Sequence, residues 1–132
     1  MAHWMRLQSD EEHTHAMKLY DYVHDRGGRV TLGSLSTPPA DWKSPLSAFE
    51  DAYKHEQKVT GLINGLVDLA LEISDHATDN FLRWFVSEQV EEEDSVDTVR
   101  SQLRLIGDNG QGLLMLDREL GARVFTPPAD SE

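Results

Sequence analysis

The stretch HWMRLQSDEEHTHAMKLYDYVHDR, residues 3–26, repeats its inward-facing side chains every three to four positions. That spacing is the period of an amphipathic α-helix, and the glycine pair that follows is a common signal for a helix end. Glu and His are seldom buried unless they are paired or bound to a metal, so the acid and imidazole inside the stripe distinguish it from an ordinary core face. The predicted stripe is Met5, Gln8, Glu12, His15, Leu19, Tyr22 and Val23.

Two further long helical patterns and one short one follow, over residues 44–74, 78–106 and 112–120. Ser44 is the predicted N-cap of the second helix, and Pro45 occupies its first position. The segment GGRVTLGSLSTPPADWK between the first two helices contains three glycines and a Pro-Pro pair, which exclude a helix and predict a long crossover connection. The sequence therefore predicts an all-α fold, with three long helices, a long crossover and a short C-terminal helix.

The second and third helices also carry acids within their apolar stripes. Glu56 interrupts the second stripe, and Glu88 and Glu92 interrupt the third. Three helices of one bundle could bring such acids to one level, where their mutual repulsion calls for cations. The predicted stripes are Phe49, Ala52, Tyr53, Glu56, Val59, Thr60, Ile63, Leu66, Val67 and Ala70, then Phe81, Trp84, Phe85, Glu88, Glu92, Val96, Val99 and Leu103.

A Glu-x-x-His pair places a carboxylate and an imidazole on one helical face, as in di-iron helical bundles. Glu12 and His15 have this spacing. Hard oxygen ligands with one imidazole suit Fe, Mn or Zn. The acidic run that follows Glu91 is expected to include a solvated face, formed by Glu93 and Asp94.

The composition excludes several other classes of protein. With 24 acidic and 12 basic residues, the formal net charge of −12 disfavours nucleic-acid binding and suits either attraction of cations or simple solubility. The chain has no cysteine, so disulfides and thiolate metal sites are excluded. No apolar run approaches the ~20 residues of a membrane span, and the start has no apolar signal segment. We therefore expect a cytoplasmic protein with no membrane partner.

Four strings, in order and at matching spacing, resemble the bacterial non-haem ferritins: QSDEEHTHAMKLYDYV (8–23), AYKHEQKVTGLINGLVDLA (52–70), FLRWFVSEQVEEED (81–94) and GDNGQGLLMLDREL (107–120). The resemblance covers nearly all of residues 4–120 and implies a ferritin-like helical bundle. We expect one ferritin-like helical domain over residues 1–124 and a flexible C-terminal tail over residues 125–132.

The resemblance also implies iron ligands. Glu12 corresponds to the carboxylate that bridges two ferroxidase irons, and His15 to the imidazole of the first iron. Glu56 and Glu92 would serve the second iron, with Gln89 beside them. Three further carboxylates resemble those of a neighbouring third iron position: Glu11, Glu88 and Glu91. The expected metal is therefore a di-iron pair.

Haem is not expected. Bacterioferritins have a haem-binding methionine where this chain has His13, and they carry a second Glu-x-x-His where Glu92 is followed by Ser95.

The match begins at the family's second helix, so this sequence has no counterpart of the first bundle helix and its iron-binding glutamate, either because the helix is missing or because the given start lies downstream of the true one. Two functions remain open on that basis. The first is iron storage and detoxification by a ferroxidase, impaired by the missing glutamate, that oxidises Fe(II) to Fe(III) with O₂ or peroxide. The second is a structural or regulatory subunit that forms homo-oligomers or associates with full-length ferritin subunits. An acidic bundle that binds metal without catalysis is a third interpretation.

Overall fold

The computed structural model describes residues 1–124, and the regular structure of this part is entirely helical. Its four helices are α1 (Ala2–Asp25), α2 (Pro45–Glu72), α3 (His76–Ile106) and α4 (Gly110–Leu120). The predicted all-α fold with three long helices and one short helix is confirmed. The predicted tail, residues 125–132, lies outside the described residues.

The long connection between α1 and α2 is also confirmed. Residues 28–42 have no regular secondary structure, and α1 ends just before the glycine pair. Gly27 has a φ of +72°, a left-handed conformation that glycine adopts without a Cβ penalty. The chain divides into two compact units, one of Met1–Pro39 with the chain from Asn109 onward, and one of Ala40–Asp108.

The unit of Ala40–Asp108 is a hairpin of α2 and α3. A capping box starts α2: Ser47 N–H donates to Ser44 Oγ at 3.1 Å, and Ser44 N–H donates to Ser47 Oγ at 3.0 Å. The predicted start of this helix is therefore confirmed. Asp75 caps α3 by accepting the N–H of Thr78 at 3.1 Å.

The buried residues of α3 follow one line at alternating spacings of three and four: Leu82, Phe85, Gln89, Glu92, Val96, Val99 and Leu103. This is the heptad spacing of a helix that packs lengthwise against a neighbour. The predicted stripe omitted Leu82 and included Trp84, which is only half-buried. On α2, Phe49, Glu56, Ile63, Val67 and Ala70 are buried.

Leu66, which the periodicity placed inward, is 45% exposed. It precedes the buried Val67 by one position, about 100° around the helix. The prediction that Leu66 faces inward was therefore wrong.

In the unit that contains α1 and α4, Arg123 connects the end of the described chain to α1. Its guanidinium donates to Gln8 Oε1 at 3.2 Å and to Glu11 Oε2 at 2.7 Å, and its Cζ lies 4.9 Å from the ring centroid of the buried Trp4. The terminal amino group of Met1 forms an ion pair with Asp117 on α4. These contacts order the first three turns of α1.

None of the described helices combines the length and the apolar character needed to cross a lipid bilayer.

Candidate metal-binding site

Two carboxylates lie in the buried lines of α2 and α3. Glu56 of α2 is 3% exposed and Glu92 of α3 is 4% exposed. Each lies in a line of buried residues that is mostly apolar, with neighbours such as Ile63 and Val96. Because an ionised carboxylate is costly to bury, compensation by a cation would stabilise both positions.

Gln89 lies one turn before Glu92 and is 5% exposed. Its Nε2 donates to the backbone carbonyl of Glu56 at 3.3 Å and to Thr60 Oγ1 at 3.3 Å. These bonds join α3 to α2 at the level of the buried carboxylates. Gln89 therefore contacts the main chain of Glu56, and its place beside an iron stays a prediction.

The acidic run of α3 has two environments. Glu88 is half-buried and precedes the buried Glu92 by one helical turn, whereas Glu91 is exposed. Glu93, which the sequence assigned to a solvated face, is half-buried and accepts a hydrogen bond from Thr60 Oγ1 at 2.5 Å. The prediction was wrong for Glu93, because the adjacent α2 supplies a donor that the sequence of α3 does not reveal, whereas Asp94 is exposed as predicted.

In the other unit, the Glu-x-x-His pair of α1 has the expected geometry. His15 is buried, at 8% exposure, and its Nδ1 lies 3.7 Å from Oε2 of the half-buried Glu12. The neighbouring His13 is exposed. Glu11 is bound by Arg123, as described above.

The residue types in each unit suit a hard or borderline divalent cation. The α2–α3 hairpin offers carboxylates and one amide, α1 offers a carboxylate and one imidazole, and softer thiolate donors are absent from the sequence. These acids and the histidine are predicted from the sequence as ligands, and their binding to a metal stays a prediction. Sequence reasoning missed Thr60 and Glu93 as polar partners, because their pairing depends on the packing of two helices.

Comparison with known proteins gives a consistent assignment. The ferritin-like domain of the ferritin family matches residues 1–106. The bacterial non-heme ferritin of Staphylococcus aureus (strain USA300) is 40% identical over 124 residues, covering 94% of this chain and 75% of the relative. The bacterial non-heme ferritin of Bacteroides fragilis (strain 638R) is 40% identical over 122 residues, and the match covers 92% of this chain and 76% of the relative.

Solved ferritin structures have the same fold as this chain. An engineered closed form of the Archaeoglobus fulgidus ferritin is 52% identical, with a TM-score of 0.92, and covers 94% of this chain and 76% of that one. An open pore ferritin from the same archaeon is 52% identical, with a TM-score of 0.91, and the match covers 92% of this chain and 75% of that one. The chain therefore belongs to the ferritin family and has a ferritin-like fold.

Proposed function

We propose that this chain stores iron, and that it does so by binding Fe(II) at a di-iron carboxylate site and oxidising it to Fe(III). Membership of the ferritin family supports iron storage. The observation that carries the finer proposal is the burial of Glu56 and Glu92 within the mostly apolar lines of α2 and α3. An ionised carboxylate is costly to bury without compensation, and a bound divalent cation would provide that compensation.

The resemblance to bacterial non-haem ferritins suggests which residues would hold the ions. Glu12 would serve both irons, and His15 would bind the first. Glu56 and Glu92 would bind the second, with Gln89 beside it. The adjacent third position uses Glu11, Glu88 and Glu91. The short distance between Glu12 and His15 and the burial of the imidazole support the first assignment.

Iron is the substrate and cargo in this proposal. Each Fe(II) gives up one electron, so two ions together reduce O₂ to hydrogen peroxide with the uptake of two protons, or reduce peroxide to water. The carboxylates neutralise the charge of the ions and hold them close together, while the redox chemistry belongs to the metal.

The proposed third iron position differs from the two ferroxidase positions, because one of its carboxylates already has a cationic partner in the described chain. Glu11 accepts a hydrogen bond from Arg123 at 2.7 Å, so a cation that binds Glu11 has to compete with a guanidinium. We therefore propose that the two ferroxidase positions fill before the third.

We also propose that the chain works as an oligomer. The surface of α2 and its C-cap presents a row of exposed apolar side chains at spacings of four, three and four residues: Leu62, Leu66, Leu69 and Ile73. Large apolar rows of this kind usually contact another helix.

The alternative function is a catalytically inactive structural subunit, and no contact described within residues 1–124 favours it.

The test is stopped-flow Fe(II) oxidation by the purified 132-residue chain, with the molar mass measured on the same preparation. We expect saturable oxidation that His15→Ala and Glu12→Ala abolish. His13→Ala is the matched control, because it removes an exposed imidazole from the same helix, and it should leave the rate unchanged. Absence of saturable Fe(II) binding in the wild-type chain would refute the proposed function.

A further inference from the structure

Three polar side chains form a continuous hydrogen-bonded chain between α2 and α3. Gln89 Nε2 donates to Thr60 Oγ1 at 3.3 Å, and Thr60 Oγ1 donates to Glu93 Oε1 at 2.5 Å. The second hydrogen of Gln89 Nε2 is directed to the carbonyl of Glu56, also at 3.3 Å. Thr60 and Glu93 have no place in the proposed set of iron ligands.

The direction of these hydrogen bonds follows from the donor and acceptor groups. A carboxylate accepts hydrogen bonds and cannot donate them, so the single hydroxyl proton of Thr60 goes to Glu93. Thr60 Oγ1 can then only accept from Gln89, which means that the amide nitrogen of Gln89 faces Thr60. If the amide were reversed, its oxygen would face two acceptors, the Glu56 carbonyl and the Thr60 oxygen, and neither could supply a proton.

With this direction of the hydrogen bonds, one polar group of the Gln89 side chain is not used within the hairpin. Both hydrogens of its amide nitrogen are used within the hairpin, so the side chain has no donor left for a ligand. Its carbonyl Oε1 is the remaining group, and a neutral oxygen of this kind either binds a hard cation or accepts a hydrogen bond from a metal-bound water. Gln89 is 5% exposed, so reorientation of the amide without new partners would be costly.

We propose that Thr60 and Glu93 are positioning residues that hold the amide of Gln89 with its carbonyl oxygen available to Fe(II). The inference deepens the proposed function and rests on it, because it concerns the same buried site. Groups that orient a metal ligand commonly contribute about 10–100-fold to metal affinity. Thr60, Gln89 and Glu93 also border a groove of about 300 Å³ between α2 and α3, so the outer end of the hydrogen-bonded chain is open to solvent.

A structural role predicts something different. If the hydrogen-bonded chain only joined α2 to α3, removal of the Thr60 hydroxyl would lower the stability of the hairpin. The loss of metal affinity caused by removing Gln89 would then be the same with or without the Thr60 hydroxyl. A positioning role predicts that the two changes are not additive, because Thr60 acts on the metal only through Gln89.

The experiment measures the affinity of the full chain for Co²⁺, a redox-stable substitute for Fe(II), from the visible absorbance of the bound ion. We expect Thr60→Val and Gln89→Ala each to weaken Co²⁺ binding by roughly tenfold. The double variant should bind no more weakly than Gln89→Ala alone. Thr60→Ser keeps the hydroxyl and should retain the wild-type affinity. Thr98→Val makes the same change at an exposed position of α3 and serves as the control.

Glu93→Gln gives a second route to the same question, because it replaces a group that only accepts with one that also donates. The direction of the hydrogen bond between Thr60 and residue 93 is then no longer fixed, so we expect the Glu93→Gln variant to bind Co²⁺ more weakly. This variant keeps the inference testable if Thr60→Val fails to fold. Unchanged affinity in the folded Thr60→Val or Glu93→Gln variant, or additive losses in the double variant, would overturn the inference. The proposed function fails separately, if Glu56→Ala leaves Co²⁺ binding unaffected.

Discussion

Replacement of Glu56 by glutamine tests whether metal binding compensates for a buried carboxylate. Glutamine has nearly the same shape as glutamate but carries no charge. At 3% exposure, Glu56 is among the most buried polar side chains of the described residues. An uncharged amide is less costly to bury than a carboxylate, so we expect the melting temperature of the metal-free variant to equal or exceed that of the wild type.

The metal-bound proteins should differ in the opposite direction. A divalent ion at 100 times its Kd stabilises the folded state by about 2.7 kcal/mol. Globular proteins unfold with an entropy of about 2.1 cal/mol/K per residue, or roughly 0.28 kcal/mol/K for this chain of 132 residues. The wild-type melting temperature should therefore rise by about 10 °C.

If the amide weakens binding by about a hundredfold, the same metal concentration equals the new Kd and stabilises the variant by only about 0.4 kcal/mol. The rise in its melting temperature should then be about 1–2 °C. Differential scanning calorimetry with and without Zn²⁺, on both proteins, measures all four melting temperatures. Zn²⁺ avoids the oxidation that would complicate the experiment with Fe(II).

Glu72→Gln is the matched control, because it makes the same chemical change at an exposed position of the same helix. It should show the full metal-dependent rise of the wild type. The reasoning is refuted if Glu56→Gln and Glu72→Gln respond equally to Zn²⁺, or if the metal-free Glu56→Gln protein melts several degrees below the wild type.

Three further predictions follow from contacts elsewhere in the described chain. Ser44→Ala removes the side chain that caps α2 and should lower the free energy of unfolding by about 1 kcal/mol in a urea titration; no change would contradict the contribution of the capping box. Arg123→Met removes the competitor for Glu11 and should strengthen the weakest class of metal sites in isothermal titration calorimetry, whereas Arg118→Met on the exposed surface of α4 should not. The apolar row on α2 should make the purified chain oligomeric by light scattering at micromolar concentration, and a well-folded monomer would defeat that proposal.

Features that depend on neighbours within one or two helical turns could be predicted from the sequence. The start of α2 at Ser44 and Pro45 follows from capping preferences, and the break after α1 follows from its glycine pair. The shared face of Glu12 and His15 is a consequence of helical periodicity, and their 3.7 Å separation agrees with it. These features are local, so no knowledge of packing was needed.

Rotation of a helix about its own axis was decided only by tertiary structure. Periodicity defines a stripe about 100° wide, and its edges depend on what the neighbouring helix covers. Leu66 lies at such an edge and is exposed, whereas Leu82 lies in the buried line although the predicted stripe passed beside it. The apolar residues at these edges do not differ in type, so composition could not distinguish them.

Hydrogen bonds between helices depend on the register of one helix against another. Thr60 and Glu93 are 33 residues apart, and Glu11 and Arg123 are 112 apart, so no spacing rule links either pair. Their separations are set by the packing of whole helices, to which every buried side chain contributes. The sequence alone determined the helices and the residue types that could bind iron, while tertiary packing decided that Thr60 and Glu93 meet Gln89, because only a packed hairpin brings a hydroxyl and a carboxylate from different helices within hydrogen-bonding distance.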